Sequence, residues 1–152
     1  MKTIVTIING IHLPYHVINY AIEKAKQESY EIHALFLKAK KEQKRGYFFP
    51  SDLGSAETVS SNDEALSADE KIIDDNMVLV REMVENEKIS YRETLKTNAS
   101  IEDIKKVAGP ADLIVVDEDF DEMSLLKDNN ISLKDLKNKI SIPVHTVSDR
   151  NL

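Results

Sequence analysis

The chain contains no cysteine. That absence excludes disulfides, thiol nucleophiles and thiolate metal sites, and it leaves the redox compartment unconstrained. Positive charge is also scarce: 20 basic residues face 27 acidic ones, for a net charge of −7. The overall field therefore repels nucleic acid and anionic membrane surfaces, and neither is expected as a partner. Long apolar runs are missing as well. The stretch from Ile4 to Ile8 is too short for the core of a signal peptide, and nothing approaches the roughly 18 apolar residues needed to span a bilayer. A soluble, cytoplasmic protein is the expectation. No G-x-S-x-G, H-E-x-x-H or Walker pattern occurs, and no nucleophile stands beside a partner, so no catalytic residue is assigned and the chain does not read as an enzyme.

What the chain does have is an alternation of short apolar runs with amphipathic stretches. At 152 residues it is long enough for one domain with a real core, and residues 1–152 are read as a single domain. Thr3 to Ile8 is rich in β-branched residues without strict alternation, which suits a strand buried on both faces. A helix follows Pro14, with Val17, Ile18, Ala21, Ile22 and Ala25 at helical spacing. Glu31 to Leu37 reads as a second buried strand. The character then turns polar, with no sustained period, and residues 38–66 are expected to form a long mobile loop. Order resumes near Ser67 in a helix carrying Ile73, Met77, Val80 and Val84 to about Lys88. Ile89 to Leu95 alternates as a more exposed strand would. Ser100 with Asp103 begins a short helix ending at Gly109, and Asp112 to Val116 is a fourth, strongly apolar strand. Ser132 and Asp135 cap a last helix, and Pro143 to Val147 is a fifth strand. This order predicts an α/β fold: a five-stranded, mainly parallel sheet with helices on both faces, Rossmann-like in its winding.

"KTIVTIING…INYAIEKA", "ADLIVV" and "SIPVHTV" resemble the first strand and helix, the fourth strand and the last strand of the universal stress protein family, and the resemblance covers nearly the whole chain. In nucleotide-binding members the fourth strand is followed by a glycine, two residues, a second glycine, nine residues, then a third glycine and a hydroxyl residue. Counted forward from "ADLIVV" and backward from "IPV", the glycine positions fall on Asp117, Phe120 and Asn130, and Ile131 stands in place of the hydroxyl. All three glycines are missing. A phosphate cradle needs inward-pointing amides, close approach without a Cβ, and no competing negative charge. Phe120 blocks close approach, although Asn130 can still adopt a left-handed turn. A carboxylate about 4 Å from a phosphate charge costs on the order of 1 kcal/mol even at the dielectric of bulk water, and several times that at a partly enclosed surface. Asp117, Glu118, Asp119, Asp121 and Glu122 all lie in this run. The strand end is not built to hold a bare triphosphate, and no cofactor is expected. The family's aspartate after the first strand falls close to Asn9, which can bond a ligand but with Gly10 also forms a common turn pair. Asn9, Asp117, Phe120 and Asn130 thus outline a degenerate cleft.

The acidic run superficially follows a calcium loop through Asp117, Asp119, Asp121 and Asp128. Glu122 stands where glycine is needed, the last position is Asp and not Glu, and a strand precedes the run, so a solvated acidic loop is expected and no metal site is assigned. Magnesium bridging these carboxylates to a phosphate is the route by which a nucleotide would still bind. His12 and His16 are four apart, but Pro14 places His12 ahead of the helix, and both read as surface or capping residues. His33 and His145 read as structural imidazoles within strands.

Two features suggest association. Lys38 to Phe49 sets five basic residues beside Tyr47, Phe48 and Phe49, either docking an acidic protein partner or folding the aromatics back over the core. The last strand, with Val144, His145, Thr146 and Val147, resembles the edge strand through which many universal stress proteins pair with a second copy, so the resemblance implies a homodimer. The resemblance, with its missing glycines, implies a place among members that act without a nucleotide, as non-catalytic stress-related regulatory or interaction proteins. The alternative is an ATP- or AMP-binding member with an altered, magnesium-assisted phosphate site.

Overall fold

A computed structural model describes residues 2–38, 53–122 and 131–148 of the protein. Its elements run β1 (Lys2–Asn9), α1 (Tyr15–Glu28), β2 (Tyr30–Lys38), α2 (Leu53–Asn86), β3 (Tyr91–Thr97), α3 (Ile101–Ala108), β4 (Leu113–Asp117), a 3-10 turn (Phe120–Glu122), α4 (Leu133–Lys139) and β5 (Val144–Val147). The strands form one sheet in the order β3-β2-β1-β4-β5, and every pairing is parallel. From β1 the chain winds outward through β2 to β3, then returns to the other side for β4 and β5. The winding therefore reverses between β1 and β4, at the place where open parallel sheets leave a crevice at their carboxyl ends.

The layers follow from the lack of alternation in the central strands. Seven consecutive residues of β1, Thr3 to Asn9, are buried. Ile4 and Ile8 pack into a cluster with Val17, Ile18, Ala21 and Ile22 of α1 and Val80 and Val84 of α2. Val5 and Ile7 face the opposite cluster, with Ile104 of α3, Leu136 of α4 and Phe120. A strand needs apolar side chains of both parities only when helices cover both faces of its sheet, and here they do. The edge strand β3 alternates between half-buried and exposed residues instead.

The helix ends follow local chemistry. Ser29, with φ of 59°, closes α1 in the left-handed conformation. Ser100 and Asp103 form a reciprocal capping box at the start of α3, and the Ser132 hydroxyl accepts from the Asp135 amide at the start of α4. Gly109 ends α3 by another route than a left-handed turn. Its φ is −52°, and a Cβ there would lie 2.7 Å from the carbonyl oxygen of Lys105.

The long connection after β2 differs from the expectation. Residues 53–66 are helical, forming the first part of a 34-residue α2; residues 39–52, including the basic and aromatic "KAKKEQKRGYFF" stretch from Ala39 on, lie outside the described residues. The segment from Leu53 carries no apolar stripe at helical spacing, so periodicity could not reveal the helix. At about 1.5 Å per residue, α2 is about 50 Å long. Its later turns bring Ile73, Val80 and Val84 into the core.

Candidate functional site

β1 and β4 end side by side at the reversal point, and their last residues, Asn9 and Asp117, are both buried. The next residue after Asn9 is Gly10, whose φ of 89° turns the chain away from the sheet, while its amide donates to the Leu37 carbonyl at 3.0 Å. The turn pair is therefore present, and Asn9 acts across the crevice: its Nδ2 donates to the Phe120 carbonyl at 3.3 Å, tying the end of β1 to the turn after β4. The Phe120 ring is fully buried beneath that turn, in the cluster with Ile131 and Leu136. At Phe120 an aromatic side chain thus anchors the turn into the core.

Asp117 is not part of a solvated acidic loop. Only 3% of it is exposed. One carboxylate oxygen, Oδ1, accepts from the Asp119 amide at 2.6 Å, and the other, Oδ2, lies 2.5 Å from His16 Nε2. His16 sits in the first turn of α1, with 9% of its side chain exposed. Its expected surface or capping role is corrected: the first turn of α1 crosses the end of β4 and carries the imidazole onto the buried carboxylate. Sequence spacing offered no signal for this pair, since the His12–His16 separation points along one helix and the real partner lies on another element. His12 precedes α1, as Pro14 requires.

Within this site Asn9, Asp117 and Phe120 are brought together, with His16 added; Asn130 lies outside the described residues, as does Asp128 of the calcium-like spacing. Asp121 Oδ1 accepts from the Leu133 amide at 2.7 Å and so fixes the approach to α4. No three metal-ligating side chains converge among the described residues. The chemistry on offer at the strand end is internal: a carboxylate in close contact with an imidazole, and an amide side chain that donates to a carbonyl.

Other titratable groups sit farther off. His33 of β2 bonds the Thr94 hydroxyl of β3 through Nε2 at 2.7 Å, and burial, followed by the nearby Arg92 charge, pushes its imidazole below the ordinary value of 6.5, with Glu31 opposing. His145 of β5 is exposed and stacks on Tyr20 of α1, ring centroids 4.8 Å apart. A cleft of about 330 Å³ lies between the end of β3 and the starts of α3 and α4, lined by Asn98, Ser100, Ile131, Asp135 and Lys139 among others.

An open parallel α/β sheet with its crevice at the β1–β4 reversal defines a Rossmann-like fold. The particular version is that of the universal stress proteins. Universal stress protein UspA from Lactobacillus plantarum superposes with a TM-score of 0.66 at 16% identity, over 96% of this chain and 97% of that one. A universal stress protein in complex with cAMP gives 0.59 at 13% identity, over 96% of each chain. A universal stress protein family protein from Arabidopsis thaliana with AMP bound gives 0.55 at 14% identity, over 97% of this chain and 92% of that one. No protein-family model and no curated protein matches the chain. At these identities the likeness establishes the fold: the chain has the universal stress protein fold.

Proposed function

We propose that the protein is a single-domain, cytoplasmic, non-catalytic regulatory or interaction protein of the universal stress protein type, whose strand-end crevice is closed by its own side chains and not by ATP. The observation that carries this reading is the buried Asp117 carboxylate, locked onto His16 at 2.5 Å, at a position where a nucleotide-binding relative would need glycine. A phosphate entering beside that carboxylate meets a repulsion on the order of 4 kcal/mol at a partly enclosed surface, about half of a micromolar affinity. The buried Phe120 ring and the Asn9 bond to its carbonyl hold the turn against rearrangement.

The competing reading, a nucleotide site assisted by magnesium, draws support from the neighbours described with cAMP and AMP bound. Thermal unfolding with and without ATP and magnesium separates the two. Binding at a hundredfold excess over Kd adds about 2.7 kcal/mol and raises the melting temperature by several degrees. The closed crevice predicts no change; a saturable rise establishes the nucleotide reading in its place.

Partnership through β5 belongs to the same proposal. β5 is an edge strand of four residues. The carbonyls of Pro143 and Val147 accept from the Ile114 and Glu118 amides of β4, so by strand alternation the backbone groups of Val144 and Thr146 face outward. His145 and Val147 lie on the α1 side and Val144 and Thr146 on the other. A second copy adding its own β5 would cover this edge.

A further inference from the structure

At the opposite end of the sheet from the crevice, α3 is too short to cover the strands beneath it. Eight residues make about 12 Å of helix, and the amino-terminal part of the sheet on that face is left open between β2, β3 and the turn at Pro110. The result is a cleft of about 280 Å³ whose polar walls are Thr3 of β1, His33 of β2, Arg92 and Thr94 of β3 and Lys106 of α3. Thr3 lies six residues before the buried end of β1, about 20 Å along the strand from the crevice.

The composition of this cleft runs against that of the chain. The protein carries more acidic than basic residues, yet the lining includes a lysine, an arginine and a histidine and no carboxylate. Two carboxylates border it: Glu31, whose Oε1 accepts from Arg92 Nη2 at 2.8 Å and from the Thr3 hydroxyl at 2.9 Å, and Asp112, whose Oδ2 accepts from the Thr3 amide at 2.9 Å. The Arg92 contact with Glu31 uses one of the five N–H donors that a guanidinium carries. Lys106 approaches from the helix on the other side. At the floor, the His33–Thr94 bond positions an imidazole and a hydroxyl.

We propose that the cleft walled by His33, Arg92, Thr94 and Lys106 binds the oxyanion group, a carboxylate or a phosphate, of a small organic anion. Its volume falls just under the 300–1,000 Å³ range of drug-sized pockets, which suits a ligand of few heavy atoms. An oxyanion between Arg92 and Lys106 gains charge-assisted bonds from both. It also offsets the Arg92 charge that, together with burial, depresses the His33 imidazole, so occupancy raises the His33 titration point. The inference is independent of whether the crevice at the far end of the sheet takes a nucleotide.

The test is a nuclear magnetic resonance titration of the full chain with inorganic phosphate and, separately, with acetate at constant ionic strength. Saturable shifts confined to His33, Thr94, Lys106 and their neighbours are expected, together with an upward move of the His33 titration. Tighter binding of phosphate assigns a phosphate group, and tighter binding of acetate assigns a carboxylate. Lys106→Gln, at an exposed position, weakens binding roughly tenfold, the loss of one charge-assisted contact, whereas Lys105→Gln, next to it but outside the cleft, leaves binding unchanged. No saturable shift with either anion overturns the proposal, as do shifts spread over surface lysines or equal binding by the parent and the Lys106→Gln variant.

Discussion

Asp117 holds two partners at once, and replacing it tests whether the strand end is closed by design of the fold. Asp117→Ala removes the acceptor of the Asp119 amide and the carboxylate in close contact with His16. Losing a buried acceptor costs about 1–3 kcal/mol, so chemical denaturation should show a loss of at least about 1 kcal/mol, more than an exposed charge pair typically contributes. His33 supplies a second test, with a definite sign. Its folded-state titration lies below the unfolded value of 6.5, so the unfolded chain binds more protons in between. The histidine's contribution is intact above pH 6.5 and is lost as pH falls through the folded value. The stability gap between the parent and His33→Gln should narrow from about pH 7.5 to about pH 5.5; a constant gap would show that the imidazole is not depressed. At this scale legibility was uneven. Phe120 and Asp117 were singled out because the family resemblance puts glycine at their positions, and both prove to be buried at the strand end. His16 did not, because its partner is distant in the chain and only the crossing of α1 over β4 brings them together.

The elements were more legible than the contacts, for a physical reason. Central parallel strands bury both faces, and the apolar runs of β1, β2 and β4 carry that requirement openly. The starts of α3 and α4 were readable from Ser100 and Ser132, whose side chains do cap them. The beginning of α2 was not, since no apolar stripe marks residues 53–66. Ser100→Ala should cost about 1 kcal/mol by removing one side of the capping box, measured by thermal unfolding. Gly109→Ala is the sharper test at this scale. A glycine-to-alanine change in an ordinary right-handed position stabilises by about 0.4–1 kcal/mol, but here the new methyl meets the Lys105 carbonyl oxygen at 2.7 Å, and a backbone oxygen inside a helix cannot withdraw. A net loss of stability is expected, and a gain would mean that α3 ends in another conformation.

For the whole molecule the open question is what lies against β5. The outward amide of Thr146 makes Thr146→Pro a selective probe, because an edge strand tolerates proline on its solvent side while an added strand loses a hydrogen bond. If two copies pair there, sedimentation velocity should show a dimer for the parent and a shift toward monomer for the variant, with the melting temperature of the parent rising with protein concentration. A monomeric parent would remove this interface from the proposal. One further property follows from α1. The same helix touches the carboxyl end of β4 through His16 and the outer strand through Tyr20, one turn later. Helix α1 thus spans from the sheet's central strand end to its outer edge, so a substitution at Tyr20 or His16 alters the packing at both places it touches.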